Sequence, residues 1–309
     1  MAESAPKVLG VLITYRPDPD MLRAVLPQAL GAVDRLVIVD NLSTEESRAA
    51  IVRAIESGRG PPGGRRASME LIRNERNTGV SVAFNQGIDR ALEGGYDFVF
   101  LLDQDSIVRD DAVRTLREEY TTLGRRFRVG ALQARNVEAD GRVNLDSRRR
   151  DYYRRHGAYD GATAYQGLLL LNSGTLFPTD VFRAVGTLNE RFFADFVDYE
   201  FSLRLASRGY QVFHVPAAQI DHNIGPPESP SPKRLYYAVR ELVPLLAAYG
   251  RRYPGGVAPI VWTTASRAAS LTVRSGHPLR ILGLTLRGVF DGLLGVSGEF
   301  KGSLSLGRP

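Results

Sequence analysis

The 309-residue chain has no cysteine, three methionines, one tryptophan and four histidines. Without cysteine there is no disulfide framework, no thiolate metal site and no cysteine nucleophile, although this alone does not fix a compartment. No uninterrupted apolar run approaches the roughly 20 residues that a membrane-spanning helix needs. The opening MAESAPK precedes an apolar run of only seven residues, Val8 to Thr14. It lacks the charged start, long apolar middle and cleavage site of a signal peptide, so a soluble cytoplasmic protein is expected. Charge is also nearly balanced, with 40 Lys and Arg against 34 Asp and Glu and a net +6. That small excess is uneven, because residues 233–309 carry eleven basic and three acidic side chains, whereas residues 1–232 carry 29 and 31. At 43% hydrophobic and 24% charged, the composition is globular and excludes disorder and collagen-like architecture.

Strand-length apolar runs alternate with helix-period segments through the first half, which predicts an α/β fold built on a largely parallel sheet. The expected strands are Val8–Thr14, Leu36–Asp40, Met69–Ile72 and Phe98–Asp103. Asp20–Leu30 reads as a helix weakened by Pro27. Val80–Glu93 reads as a stronger one, with Val80, Phe84, Ile88 and Ala91 on one face, Thr78 as cap and Gly94-Gly95 as stop. Glu56–Ser68 and the arginine-dense Arg125–Arg155 read as loops. Tyr165–Asn172 is expected as a buried strand, Thr179 and Phe196–Arg208 as helices, and Gln211–Val215 as another strand. Pro226, Pro227, Pro230 and Pro232 form a break before a helical C-terminal segment, which suggests domains 1–232 and 233–309.

Ligands of open α/β sheets gather at the carboxyl ends of the strands. Three such ends are polar here: Thr14-Tyr15-Arg16, Asp40-Asn41 and Asp103-Gln104-Asp105. Asp103 and Asp105 alternate with Gln104, so the two carboxylates share a side and repel unless a cation joins them. A hard divalent cation bridging a substrate diphosphate would do so. Alone, the motif is equally consistent with capping of the next helix. Asn77-Thr78-Gly79 opens the helix that follows, where a glycine permits close backbone approach. No GxGxxG follows the first strand, which argues against a dinucleotide site.

The ordered series VLITYRPD, IVDNLS, NERNTGVSVAFNQG, FVFLLDQDS, FADFVDYEFSLRL and DHNIG resembles the family-two inverting glycosyltransferases of GT-A fold. Within them it is most similar to bacterial L-rhamnosyltransferases that use dTDP-rhamnose to build surface polysaccharides such as O-antigen and cell-wall glycans. The resemblance implies that Thr14, Tyr15, Arg16, Asp40 and Asn41 hold the base and ribose. It implies that Asn77, Gly79, Asn85 and Gln104 line the donor pocket, and that Arg240 stands near the donor diphosphate. Asp103 and Asp105 would contact ribose and metal, with His222 of DHNIG completing the metal site. Where the family usually has Glu-Asp-x-Asp, this chain has Val197-Asp198-Tyr199-Glu200, so Asp198 aligns with the catalytic base, Glu200 with the second acid and Arg204 with the basic residue one turn on. Asp195, three residues earlier, is a second candidate base, and the alternative is that these acids only complement the helix dipole. Asn172, Ser173 and Gly174 either line the acceptor side or pack.

The implied cofactor is Mg²⁺ or Mn²⁺, with a histidine ligand moving the preference toward Mn²⁺. The implied partners are a dTDP-sugar donor and a glycan or polyprenyl-diphosphate-linked acceptor, with a homo-oligomer left open. A UDP-hexose donor is the nearest rival reading. A nucleic-acid-binding protein is a distant one, since the net positive charge comes without a recognition motif. In the C-terminal segment, Arg267 and Arg274, and Arg280 and Arg287, lie two helical turns apart. Such a basic amphipathic segment either packs on its own domain or contacts an anionic membrane at the inner face of the cell membrane.

Overall fold

The computed structural model describes residues 6–57, 68–138, 159–222 and 231–300. In chain order these form β1 (Val8–Thr14), α1 (Pro19–Ala32), β2 (Arg35–Asp40), α2 (Glu45–Ser57), β3 (Ser68–Arg73), α3 (Val80–Gly94), β4 (Phe98–Asp103), β5 (Ser106–Val108) and α4 (Ala112–Gly124). They continue with β6 (Val129–Glu138), β7 (Tyr165–Gly167), β8 (Thr175–Pro178), α5 (Thr179–Val185), α6 (Val197–Ser207), β9 (Gln211–His222), α7 (Pro232–Tyr249), α8 (Pro254–Arg274) and α9 (Pro278–Leu293). By contacts the chain divides into two compact units: a sheet unit within residues 1–77, 83–187 and 204–226, and a helical unit within 78–82, 188–203 and 227–309.

The sheet runs β3-β2-β1-β4-β8-β6-β9-β5, with β7 also paired to β9. Its β3-β2-β1-β4 wing is parallel throughout. The cores of β1, β2 and β4 are continuous apolar runs, as strands covered on both faces must be; Leu12, Ile38 and Phe100 are wholly buried. β8 then runs antiparallel between β4 and β6, and β6 pairs parallel to β9, so the sheet is mixed. All the strand ends expected to carry chemistry belong to this unit.

Three local expectations change. α1 continues through Pro27, because Asp18 caps it by accepting from Asp20 N at 2.8 Å and because Leu22, Val25, Leu26, Ala29 and Leu30 are buried along one face. The expected loop from Arg125 holds β6, whose Ala131, Leu132 and Ala134 are core residues despite the arginines around them. The expected strand Tyr165–Asn172 is strand only to Gly167. Leu171 O instead accepts from Thr175 Oγ1 at 2.5 Å, and extended pairing resumes in β8. The helices at Thr179 and Phe196, the strand from Gln211 and the helical C-terminal segment form as expected. The Arg148–Arg155 stretch and three of the four prolines of the break, Pro226, Pro227 and Pro230, lie outside the described residues.

Candidate active site

In the sheet unit the ends of β1, β2 and β4 are tied to one another. Tyr15 N donates to Gln104 Oε1 at 2.7 Å, Arg16 N to Ser43 Oγ at 3.2 Å, and Ser43 N to Asp40 Oδ1 at 2.8 Å. The other Asp40 oxygen accepts Arg48 Nε at 2.8 Å. Asp40 and Gln104, expected at the nucleotide, thus also brace the strand ends. Beside them lies an amide cluster in which Asn41 Nδ2 donates to Asn77 Oδ1 at 2.9 Å and Asn74 Nδ2 to Asn41 Oδ1 at 3.2 Å. Asn74 and Gln86 exchange a further pair of bonds at 2.9 and 3.0 Å. A recess of about 490 Å³ is lined here by Leu42, Arg48, Arg73, Asn74 and Glu75. Asn85 is buried on α3, and the buried Thr14 Oγ1 has no hydrogen-bond partner among the described residues.

Positive φ at non-glycine residues recurs near the expected site segments, and also at Asp111 before α4 (φ 64°). Arg16 and Leu42, which follow the β1 and β2 ends, have φ of 48° and 75°, and Phe196, between Asp195 and α6, has φ of 59°. A non-glycine residue held in the left-handed region costs about 1–3 kcal/mol, and such residues cluster at functional sites.

β4 ends at Asp103, the chain turns through Gln104 and Asp105, and β5 then pairs with β9 so that Ser106 stands opposite His222. This pairing joins residues more than a hundred positions apart. The carboxylates of Asp103 and Asp105 and the imidazole of His222 offer ligand atoms all within 4.8 Å of one another, with His222 Nδ1 3.6 Å from Asp105 Oδ1. Ser106 Oγ lies 2.7 Å from His222 Nδ1 and 2.7 Å from Ser173 Oγ, which in turn accepts from Asp103 N at 3.0 Å. The two serines therefore orient the imidazole and the strand end, as outer-sphere partners of a metal site do. Two carboxylates and one imidazole are a donor set suited to Mg²⁺ or Mn²⁺, and the residues present fit such an ion.

The helical unit holds the expected acids. Glu241, buried on α7, accepts from Phe193 N at 3.0 Å, Ala194 N at 3.2 Å and Asp195 N at 2.8 Å, and from Arg240 Nη2 at 2.9 Å. Burial pushes the Glu241 carboxyl up to about 7, and the guanidinium beside it pulls the other way. Asp195 Oδ1 lies 3.6 Å from Arg267 Nη1. Asp198 sits in the first turn of α6, where the helix dipole favours a carboxylate, and its Oδ1 accepts from Tyr199 N at 2.9 Å. Glu200 is buried and accepts the Tyr249 hydroxyl at 2.9 Å.

Two expected roles acquire a packing component. Arg240 is buried against the Tyr236 and Tyr237 rings, 5.4 and 4.9 Å from their centroids, and donates to Gly298 O at 2.8 Å. Gly79 (φ 89°) makes room for protein: a Cβ there would stand 2.6 Å from the Phe193 ring, and Val80 N donates to Phe193 O at 2.7 Å. In the sheet unit Arg204 Nη1 donates to Val185 O at 3.2 Å, and the carbonyl of buried Asn172 accepts Thr175 N at 3.2 Å. Sequence reasoning missed Ser106, Glu241 and Asn136. Asn136 is buried on β6 with neither amide atom bonded among the described residues, and no local pattern marks it.

The sheet unit thus gathers polar strand ends and an Asp-x-Asp and histidine cluster. The profile of the glycosyltransferase-like family 2 matches residues 6–242, and the chain belongs to that family. It is similar to the dTDP-rhamnosyl transferase RfbF of Shigella flexneri, 26% identical over 261 residues that cover 77% of this chain and 79% of that protein. Among solved structures it is similar to GalNAc-T7 with UDP, GalNAc and Mn²⁺, at TM-score 0.57 and 12% identity over 82% of this chain, which spans about half (49%) of that one. It is also similar to S. aureus TarS 1–349 in complex with UDP-GlcNAc, at TM-score 0.54 and 15% identity over 94% of this chain and 81% of that one. The fold is GT-A, and the protein is a glycosyltransferase.

Proposed function

We propose that the protein transfers L-rhamnose with inversion from dTDP-L-rhamnose to a glycan or lipid-linked saccharide acceptor in the assembly of a cell-surface polysaccharide. The observation that carries the chemistry is the convergence of Asp103, Asp105 and His222, and the choice of donor is supported by the similarity to a dTDP-rhamnosyl transferase. A divalent cation, Mn²⁺ or Mg²⁺, would be held by these three residues and would supply positive charge for the diphosphate. Thr14, Tyr15, Arg16, Asn41, Asn77 and Asn85 receive the nucleoside, with Asp40 and Gln104 fixing the strand ends around it.

Inversion needs a base for the acceptor hydroxyl. Asp198 takes that proton as the acceptor oxygen bonds to the sugar's anomeric carbon and the bond from that carbon to the diphosphate oxygen breaks. Asp195, held through its amide by Glu241, helps seat the acceptor.

Donor hydrolysis measured with and without Mn²⁺ across dTDP-rhamnose, UDP-glucose, UDP-galactose and UDP-GlcNAc tests the reading. The expected result is metal-dependent turnover of dTDP-rhamnose above the rest. Preferential turnover of a UDP-hexose would overturn the assignment of the donor, and turnover of every donor without metal would overturn the role of the cation.

A further inference from the structure

Every large hydrophobic side chain exposed among the described residues lies between Leu246 and Val296, within the helical unit. On α9, Leu279, Leu282, Leu286, Val289 and Leu293 recur at alternating three- and four-residue steps, and Val296 continues the series. That spacing lines one helix face. Leu279 is 82% and Leu293 71% exposed, so the face is open to solvent. It is not the face by which α9 folds. Ile281, Gly288, Asp291 and Gly292 are buried, and a Cβ at Gly292 would stand 2.5 Å from Arg240 O on α7. On α8, Trp262 and Val273, 74% and 83% exposed, are joined by Ala265 and Ala269 along a second exposed stripe.

The charge along α8 and α9 is predominantly basic. Residues 242–298 hold six arginines and a single acid, Asp291, which is buried and accepts Arg287 Nε at 2.8 Å. Arg251, Arg252, Arg274 and Arg280 are exposed. Apolar stripes on amphipathic helices with arginines at their edges suit the boundary between headgroups and acyl chains. No helix among the described residues is long and apolar enough to cross a membrane, so the fit is to the plane of a bilayer. A second copy of the chain fits less well. Pairing this face with itself would bring Arg274 and Arg280 of each copy together, and the exposed acid just beyond it, Glu299, is already paired with Lys233 at 3.2 Å. Anionic headgroups supply the missing charge.

We propose that the exposed faces of α8 and α9 are a docking surface for an anionic lipid bilayer. The inference stands on these faces alone and holds for any sugar donor. The full chain should sediment with vesicles of equimolar phosphatidylcholine and phosphatidylglycerol. Replacing Leu282, Leu286 and Leu293 together by Gln should weaken binding at least about tenfold. Arg274→Gln with Arg280→Gln should weaken it about 30-fold, with loss of the preference over pure phosphatidylcholine. Trp262 is the sole tryptophan, so the unaltered chain gives a second readout that needs no variant: vesicles with brominated acyl chains should quench its emission. Failure to sediment, sedimentation of the triple variant equal to the parent, or an unquenched Trp262 would overturn the proposal. So would a solution dimer that the triple variant dissociates in the absence of any vesicle binding, since it would assign the face to a second copy.

Discussion

In the sheet unit Leu12, Phe84, Phe100 and Leu102 are wholly buried, and no large hydrophobic side chain among the described residues stands exposed. In the helical unit Trp262, Val273, Leu279 and Leu293 face solvent, while α7 buries Arg240 and Glu241 among Leu235, Val239 and Leu245. The sheet unit is therefore a closed core with its chemistry at the strand ends. The helical unit spends charged groups on shaping one loop and keeps apolar surface outward. Burial of a charge pair in the second unit, where apolar side chains were at hand, indicates that the geometry of residues 193–195 is what Glu241 serves.

The contrast can be tested by substitution, beginning with the acid assigned to chemistry. Asp198→Asn should lower the rate of transfer about 10²–10⁴-fold, the usual worth of a general base, while dTDP binding measured by calorimetry is retained. Lost nucleotide binding would count against the assignment. Arg240→Met leaves Glu241 buried without its counter-charge and should cost about 3–5 kcal/mol in denaturant unfolding. The pH dependence has a definite sign. The Glu241 carboxyl is already raised to about 7 when folded, and loss of the guanidinium raises it further. An acid whose folded pKa lies above its unfolded value of about 4.3 loses stability as pH rises between the two; the parent stops losing it near pH 7 and the variant does not, so the deficit of the variant should widen above pH 7 and be smallest below it. Ser106→Ala removes the hydroxyl beside His222 Nδ1 and should weaken Mn²⁺ binding about 10–100-fold with little change in unfolding. The smallest effect belongs to the open face: Trp262→Gln should shift unfolding by less than about 0.5 kcal/mol, because nothing buries that ring.

The parallel wing was legible because β1, β2 and β4 are apolar on both faces and α3 keeps its helical period. β6 was hidden by composition, since its arginine-rich flanks resemble a loop and its buried positions include the polar Gln133 and Asn136. The leucine run after Gly167 misled in the other direction: burial there does not require a ladder when side chains satisfy the Leu171 carbonyl. Asp103, Asp105 and His222 stood in recognisable motifs. Ser106, Glu241 and Asn136 owe their places to strand register and to a helix partner far along the chain, and no spacing in the sequence encodes that.

The central claim is that Asp103, Asp105 and His222 hold the divalent cation through which the donor diphosphate is bound. Calorimetric titration of dTDP into the unaltered chain and into Asp105→Ala, each with and without Mn²⁺, measures this directly. The account predicts that Mn²⁺ strengthens nucleotide binding in the unaltered chain and has no such effect in the variant. Equal Mn²⁺ dependence in both proteins would contradict it.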